Sequence, residues 1–170
     1  QKFDDNDDDD GGEQKNKAKK INIQPDKLTH QLNKYQLRAL EKSLNCKNFH
    51  LIVGLPGTGK TSTIVELIRQ AICKNKMSIL IVSYTNSAVD NVLLKVDKLA
   101  KDSKDNQIKM LRMGRKLAIH KDIQKYSEDH LTDNIEEPEQ LEEFYKGLNI
   151  VGSTVLGVDH PLFKWKSFEL

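Results

Sequence analysis

The sequence has few of the residues that build metal centres, and it has no long apolar run. Its 170 residues include only two cysteines, Cys46 and Cys73, which lie far apart and form no CxxC or Cys/His ligand pattern. Neither a zinc site nor an iron–sulfur cluster can therefore be assembled from these residues. No apolar stretch approaches the length that a membrane span requires, so we expect no membrane segment. Reduced thiols in an intracellular protein are the simplest interpretation of the cysteines.

An excess of charge of one sign is also missing, because 27 Lys and Arg residues against 25 Asp and Glu residues leave a net charge of +2. The two signs are nevertheless separated, with acid concentrated in residues 4–10 and base in residues 15–20. Residues 1–28 contain few large apolar groups and predict a disordered linker. Residues 29–170 are long enough for one domain with a core. The chain begins with Gln1, and we expect it to be an interior piece of a longer protein.

The best-defined motif lies in residues 49–63, FHLIVGLPGTGKTST. Its apolar start, residues 49–53, predicts a buried strand, and a helical pattern follows the glycine-rich loop, which is the context of a P-loop. Such glycines allow backbone N–H groups to wrap a phosphate chain. Lys60 would reach the β- and γ-phosphates, and the Thr61 hydroxyl would complete the coordination of Mg²⁺. The candidate nucleotide-binding residues are Gly54, Pro56, Gly57, Thr58, Gly59, Lys60, Thr61 and Ser62, of which Lys60 and Thr61 are also the catalytic candidates.

A helix is predicted ahead of the P-loop, from Leu32 to about Leu44, because apolar residues recur there at three- and four-residue spacing. Asn33 and Gln36 match a capping box at its start. Gln36 has a second interpretation, because an amide both donates and accepts and so matches the edge of adenine. The spacing alone favours capping.

The rest of the chain alternates strands and helices. A helix is predicted to end near Asn75, and strands are predicted at Ile79–Val82, Gln107–Arg112 and Asn149–Ser153. The continuous apolar run of the first of these is typical of a strand buried on both faces of a parallel sheet. These elements predict an α/β fold with a mostly parallel sheet and helices on both faces. Residues 114–147 are interpreted as an insertion or surface excursion with short helices near Asp122–Tyr126 and Glu139–Lys146.

Polar side chains follow two of the predicted strands at their carboxyl ends, where ligands of parallel sheets bind. They could cap the next helix, whose buried face is predicted to be Val89, Val92, Leu93 and Val96, or donate to the phosphates of a second ligand. Capping is the default for one such residue, but four in a row, Ser83, Thr85, Asn86 and Ser87, exceed what one cap needs. The candidates for nucleic-acid contact are Ser83, Thr85, Asn86, Asn91, Ser153 and Thr154.

With these motifs in place, the sequence resembles the first, RecA-like motor domain of a superfamily 1 helicase. LNKYQLRAL resembles the Q motif, GLPGTGKT motif I, SYTNSAVDNVLLKV motif Ia, and IVGSTVLGVDHPLF the stretch before motif II. The likeness covers roughly residues 32–168. Within the superfamily, the motif Ia string and the GVDHPLF ending resemble the branch of helicase–nucleases that process Okazaki-fragment flaps.

The resemblance implies an ATP- and Mg²⁺-dependent DNA helicase. Its expected location is the nucleus, with the mitochondrion as a second location. Gln36 would contact the adenine, while Thr85, Asn86, Ser153 and Thr154 would hold the phosphates of single-stranded DNA. A second motor domain, a nuclease domain and the cysteines of an iron–sulfur cluster are expected elsewhere in the parent chain. Motif II is expected after Leu170, so we expect this chain by itself to be inactive in ATP hydrolysis.

Three alternatives stay open from the residues. The nucleic acid along which the motor moves could be RNA, as in the helicases of nonsense-mediated decay. The chain could be a P-loop protein of another class, a metabolic kinase or a transport ATPase, in which Thr85, Asn86 and Thr154 only cap helices. It could also be a nucleotide-binding remnant without catalysis.

Overall fold

A computed structural model of the chain describes Ile23 and residues 31–102, 108–157 and 159–170. Within these residues, three strands form one parallel sheet in the order β1–β3–β2. The strands are β1 (Ile79–Ser83), β2 (Met110–Arg112) and β3 (Ile150–Thr154). Ile150 of β3 pairs with Ile79 on one side and Met110 on the other. The predicted α/β class with a parallel sheet is confirmed, although β1 lies at an edge of this sheet and is only half-buried.

Helices connect the strands. The α-helices are α1 (Lys34–Asn45), α2 (Lys60–Asn75), α3 (Asn86–Asp102), α4 (Glu128–Leu131), α5 (Pro138–Lys146) and α6 (Leu162–Trp165). Among the described residues, short 3₁₀ helices occupy Lys116–Ala118, Lys121–Tyr126 and Val155–Gly157. The helix predicted from Leu32 is confirmed as α1, with its capping box formed by Asn33 and Gln36. The helix predicted to end near Asn75 is confirmed as α2.

Alternate residues of the strands face two separate apolar cores, as the two-residue period of a strand requires. Ile79, Met110 and Ile150 pack with the buried faces of α1, α2 and α3. Leu111 and Val151 point the other way, into a second core that contains Tyr145 and Leu148 from α5 and its end, and Leu162 of α6. The predicted placement of helices on both faces of the sheet is therefore confirmed.

Helix α3 lies directly against the central strand. Its predicted buried face is confirmed, because Val89, Val92, Leu93 and Val96 all lie in the first core. The two elements approach closely at Gly152 of β3, where a Cβ atom would lie only 2.8 Å from Leu93 Cδ1 and 2.9 Å from Val89 Cγ1. A larger residue there would push α3 outward and displace its first turn from the carboxyl end of the sheet.

Residues 114–147 are tied to the rest of the domain. Ile119 and Ile123 lie in the first core. Asp97 of α3 accepts hydrogen bonds from Lys125 Nζ at 2.8 Å and from the Tyr126 hydroxyl at 2.5 Å, and it also pairs with Lys101. Helices form near both predicted positions, at Lys121–Tyr126 and in α5. The region thus contributes apolar side chains and an ion-paired cluster to the packing of α3.

The prediction of a buried strand at residues 49–53 is wrong in this structure. No strand is formed there, and Phe49, Leu51 and Val53 are 86%, 77% and 84% exposed. A strand needs a hydrogen-bonded neighbour, and no strand of the described residues pairs with this segment. The outer edge of β1 instead bonds to the end of the chain, with Leu80 N donating to Leu170 O at 2.8 Å. The apolar side chains of this segment are therefore exposed, because no neighbouring strand of the described residues covers them.

Of the predicted linker, residues 1–28, only Ile23 lies among the described residues, and it packs against the first core. The rest of that prediction lies outside the described residues. In the part of the chain that the structure describes, no helix is long and apolar enough to cross a membrane.

Candidate functional site

The glycine-rich loop has the backbone conformation that its sequence predicts. Gly57 and Gly59 have φ angles of +77° and +80°, which are strained for residues with a side chain. Gly59 is the N-cap of α2, so the first turn of that helix begins directly after the loop. Within the loop, Leu55 O accepts hydrogen bonds from Thr58 N at 3.3 Å and from Thr58 Oγ1 at 2.7 Å. The loop closes on itself ahead of a helix N-terminus, where an anion is favoured.

Lys60 folds back over this loop. Its Nζ donates to Gly54 O and Leu55 O, both at 2.8 Å. A Cβ atom at Gly54 would lie 2.8 Å from Lys60 Cγ, so only glycine allows the lysine to lie there. Both acceptors are neutral carbonyls at an exposed site, and a phosphate would be a stronger partner for the ammonium group.

A cavity of about 520 Å³ lies between α1 and the loop. Its lining includes Tyr35, Gln36, Leu55, Thr58 and Lys60. The volume is within the range of small-molecule sites. Together with the positive φ angles and the exposed lysine, it fits a nucleotide whose phosphates lie on the loop. Pro56 is exposed, and Thr61 and Ser62 are half-buried in the first turn of α2.

Gln36 joins α1 to the phosphate loop. Its Oε1 accepts from Asn33 N at 2.8 Å, which completes the capping box, and its Nε2 donates to Thr58 O at 3.1 Å. A Cβ atom at Gly59 would lie 2.6 Å from that Nε2. Each end of the amide thus makes one bond to the protein, which leaves one Nε2 hydrogen and one Oε1 lone pair for a ligand.

The first turn of α3 carries the second group of predicted residues. Thr85 precedes the helix, and its Oγ1 accepts from Ala88 N at 3.3 Å, which is the capping bond of an N-cap threonine. Asn86 is the first helical residue and is exposed. Asn91 is exposed further along α3, and Ser83 is half-buried at the end of β1. Thr85 therefore has a capping role, whereas Asn86 is oriented by a different contact, described below.

Ser153 and Thr154 differ from each other. Ser153 is fully buried, and its Oγ donates to Thr154 O at 3.0 Å. A Cβ atom at Gly157 would lie only 2.4 Å from this Oγ, so the hydroxyl occupies the space beside the glycine. Thr154 is half-buried at the carboxyl end of β3. The structure thus brings Thr154 toward the surface and leaves the Ser153 hydroxyl inside.

The sequence reasoning missed Arg112 and Asp90. Arg112, at the end of β2, is completely buried, and its Nε donates to Asp90 Oδ1 at 2.6 Å. Its Nη2 donates to Asn86 Oδ1 at 2.8 Å. The available signal was a charged residue inside the apolar strand pattern Met110–Met113, since a buried strand holds an arginine only if a buried partner is present.

The loop, the lysine and the adjoining cavity define a P-loop nucleotide-binding domain on a parallel α/β sheet. Residues 31–150 match the model of the family AAA_11, described as an AAA domain, and the chain belongs to this family. The predicted superfamily 1 helicase type is thereby confirmed.

Several curated relatives are similar to this chain over most of its length. The chain is 41% identical over 140 residues to the DNA replication ATP-dependent helicase/nuclease DNA2 of Xenopus laevis, and 43% identical over 140 residues to DNA2 of Bos taurus. It is 34% identical over 135 residues to DNA2 of Saccharomyces cerevisiae. The alignments cover 81%, 81% and 78% of this chain but only 12%, 12% and 8% of those relatives. The chain therefore spans about an eighth or less of the length of these proteins.

Proposed function

We propose that this chain is part of the ATP-binding motor of a DNA helicase–nuclease that acts in DNA replication and repair in the nucleus. Its P-loop binds ATP–Mg²⁺, and the first turn of α3 holds single-stranded DNA. A second motor domain and a nuclease domain complete the protein. The observation that carries the proposal is a pair of helix N-termini in one domain, α2 behind a glycine-rich loop and α3 behind Thr85.

The P-loop half of the proposal is supported by chemistry that needs no rearrangement of the fold. Lys60 exchanges two carbonyl oxygens for phosphate oxygens, and the N–H groups of Gly57 to Ser62 surround the phosphate chain. Thr61 supplies the hydroxyl ligand of Mg²⁺. ATP bound there supplies the free energy of phosphoryl transfer. Gln36 contacts the adenine through the amide hydrogen and the oxygen lone pair that its bonds to Thr58 and Asn33 leave unused.

The nucleic-acid half is supported by the exposed donors at the carboxyl ends of the strands. Thr85, Asn86 and Asn91 are exposed, and Thr154 and Ser83 are half-buried. Hydroxyl and amide groups at a helix N-terminus suit phosphate oxygens and carry no base preference, as a translocating motor requires. The buried Ser153 supports the Thr154 carbonyl from inside.

Single-strand affinity tests this half directly. We expect Thr85→Ala with Asn86→Ala to weaken the binding of a fluorescent thymidine oligonucleotide about 10- to 100-fold, because two hydrogen bonds to phosphate are lost. The matched control is Ser78→Ala with Asn149→Ala, which removes a hydroxyl and an amide from the opposite ends of β1 and β3. Equal affinity of the two double variants would overturn the nucleic-acid assignment and leave these residues as helix caps.

Competition between DNA and RNA strands of the same sequence tests which nucleic acid the motor binds. We expect DNA to compete more strongly, and removing the 2′-hydroxyls from the RNA strand isolates the group that distinguishes them. A clear preference for RNA would replace the proposed function by that of an RNA helicase of the same superfamily.

A further inference from the structure

Arg112 is a buried guanidinium with three partners. Its Nε and Nη2 bond to Asp90 and Asn86, and its Nη1 donates to Met113 O. Asp90 is itself held on the far side, because its Oδ2 accepts from His120 N at 2.9 Å. Arg112 also pairs with Gly152 in the sheet. The planar fork of the guanidinium is therefore fixed in position by β3, by α3 and by the segment that follows β2.

This contact determines which way the amide of Asn86 faces. A guanidinium has donors only, so it can bond only to the carbonyl oxygen of the amide and never to its nitrogen. The Asn86 Nδ2 group must then face away from Arg112. Asn86 is exposed, and no described residue accepts a hydrogen bond from its Nδ2. The result is an N–H₂ donor held at the surface by a buried cation.

We infer that Arg112 is a positioning residue for single-strand binding, which acts through Asn86 by holding its N–H₂ group toward the phosphates. The inference rests on the proposed function, because it needs Asn86 to contact the strand. Beyond the proposed function, it assigns a role to Arg112, which touches no ligand, and it states which way the Asn86 N–H₂ group faces. A donor held in advance loses less rotational freedom on binding than a free asparagine does.

The sharpest test is Asn86→Asp, which keeps an oxygen for Arg112 and replaces the outward N–H₂ by a second carboxylate oxygen. We expect thermal stability equal to or above that of the unchanged protein, since a carboxylate suits both Arg112 and the first turn of a helix. We expect single-strand affinity to fall at least 10-fold and nucleotide affinity to stay the same. Unchanged single-strand affinity in this variant would overturn the inference, because a residue that only braces α3 tolerates the exchange.

A double-mutant cycle tests the role of Arg112 itself. Arg112→Lys keeps a cation for Asp90 but loses the fork that reaches Asn86. We expect it to weaken single-strand binding about threefold to tenfold in the full chain and to cause no further loss in an Asn86→Ala background. Additive losses would contradict coupling through Asn86. Asp97→Asn is the control, because it disturbs a buried charge of the same helix far from its first turn and is expected to lower stability with single-strand affinity unchanged.

The outcomes separate this inference from the proposed function. If Thr85→Ala and Asn86→Ala both leave affinity unchanged, the nucleic-acid assignment fails and this inference fails with it. If both weaken binding while Arg112→Lys does not couple to Asn86, only the inference fails. Should Arg112→Lys unfold the chain, the Asn86→Asp result decides alone.

Discussion

The phosphate loop and the first turn of α3 hold their polar groups in opposite ways. Lys60 of the loop is exposed and bonds to neutral carbonyls of its own loop. Asn86 of α3 bonds to a fully buried, ion-paired arginine. A weakly held cation is ready to exchange partners when an anion arrives, whereas an amide fixed by a buried charge is already in its final direction. We infer that the first site is rearranged by its ligand and the second is built in advance.

The largest expected effect is on the free energy of unfolding, and it comes from substitution of the buried Arg112. Arg112→Met removes the guanidinium and leaves the Asp90 carboxylate buried beside an apolar side chain. We expect the free energy of unfolding to fall by about 3–5 kcal/mol, as when one member of a buried ion pair is deleted. Urea denaturation followed by circular dichroism measures it. A loss below about 1 kcal/mol would show that water replaces the guanidinium and that the network is not needed for the fold.

Substitution of the exposed Lys60 should have the opposite effect, because it should weaken nucleotide binding and leave the stability of the fold unchanged. Lys60→Ala deletes a charge-assisted contact to phosphate, so we expect the affinity for a fluorescent ATP analogue to drop about 10- to 100-fold. The free energy of unfolding should change by less than about 0.5 kcal/mol, because the side chain is exposed. Lys42→Ala on α1 is the matched control for loss of one lysine. Reduced stability in Lys60→Ala, equal to that of Arg112→Met, would erase the distinction between the two sites.

A third prediction concerns Asp97, the buried carboxylate at the other end of α3. Burial would raise its pKa, but hydrogen bonds from Lys101, Lys125 and Tyr126 outweigh that effect and lower the pKa to about 2. A lowered folded-state pKa stabilises the protein above the unfolded-state value near 4, and this contribution is lost as the pH falls from about 4 to 2.

The magnitude follows from the size of that shift, about 2 kcal/mol of stability at neutral pH. We therefore expect Asp97→Asn to flatten the acid limb of a stability-against-pH curve measured by chemical denaturation. An unaltered acid limb in the variant would mean that the cluster contributes nothing in solution.

The smallest expected effect is at the start of α1. Asn33→Ala removes the side chain that accepts from Tyr35 N and Gln36 N, both at 3.0 Å, and should lower stability by about 1 kcal/mol. We expect nucleotide affinity to change less than in Gln36→Ala, because only Gln36 also reaches Thr58. If Asn33→Ala weakened nucleotide binding as strongly, the cap and not the Gln36 amide would be what supports the loop.

Local patterns in the sequence were sufficient for most of the fold. The spacing of Val89, Val92, Leu93 and Val96 predicts the buried face of α3, and Asn33 with Gln36 predicts the cap of α1, because both depend on residues within a few positions of each other. The glycines of the P-loop predict their own conformation for the same reason. The segment 49–53 failed, since its apolar pattern describes burial but cannot state whether a partner strand is present.

Motif and position name the loop residues and Asn86 as candidates for the site, and their roles stay predictions. The contact that orients Asn86 comes from Arg112, 26 residues further along the chain. Such a pairing depends on the register of β2 and on the approach of α3 to Gly152, neither of which is visible in local spacing. Ser153 is predicted as a nucleic-acid contact, whereas the structure buries its hydroxyl. A serine at a strand end has the same sequence pattern whether its hydroxyl faces solvent or the interior.

The Gln36 amide bonds both to the cap of α1 and to the phosphate loop, so the first turn of α1 should respond to nucleotide binding. One oxygen closes the helix cap and one nitrogen holds the phosphate loop, so a ligand that takes the nitrogen changes the free energy of both at once. Linkage then requires that a tighter cap alter nucleotide affinity and that bound nucleotide alter fraying of the helix by the same factor. Hydrogen exchange at the amides of Tyr35 and Gln36 would follow occupancy of a phosphate loop that lies more than twenty residues further along the sequence.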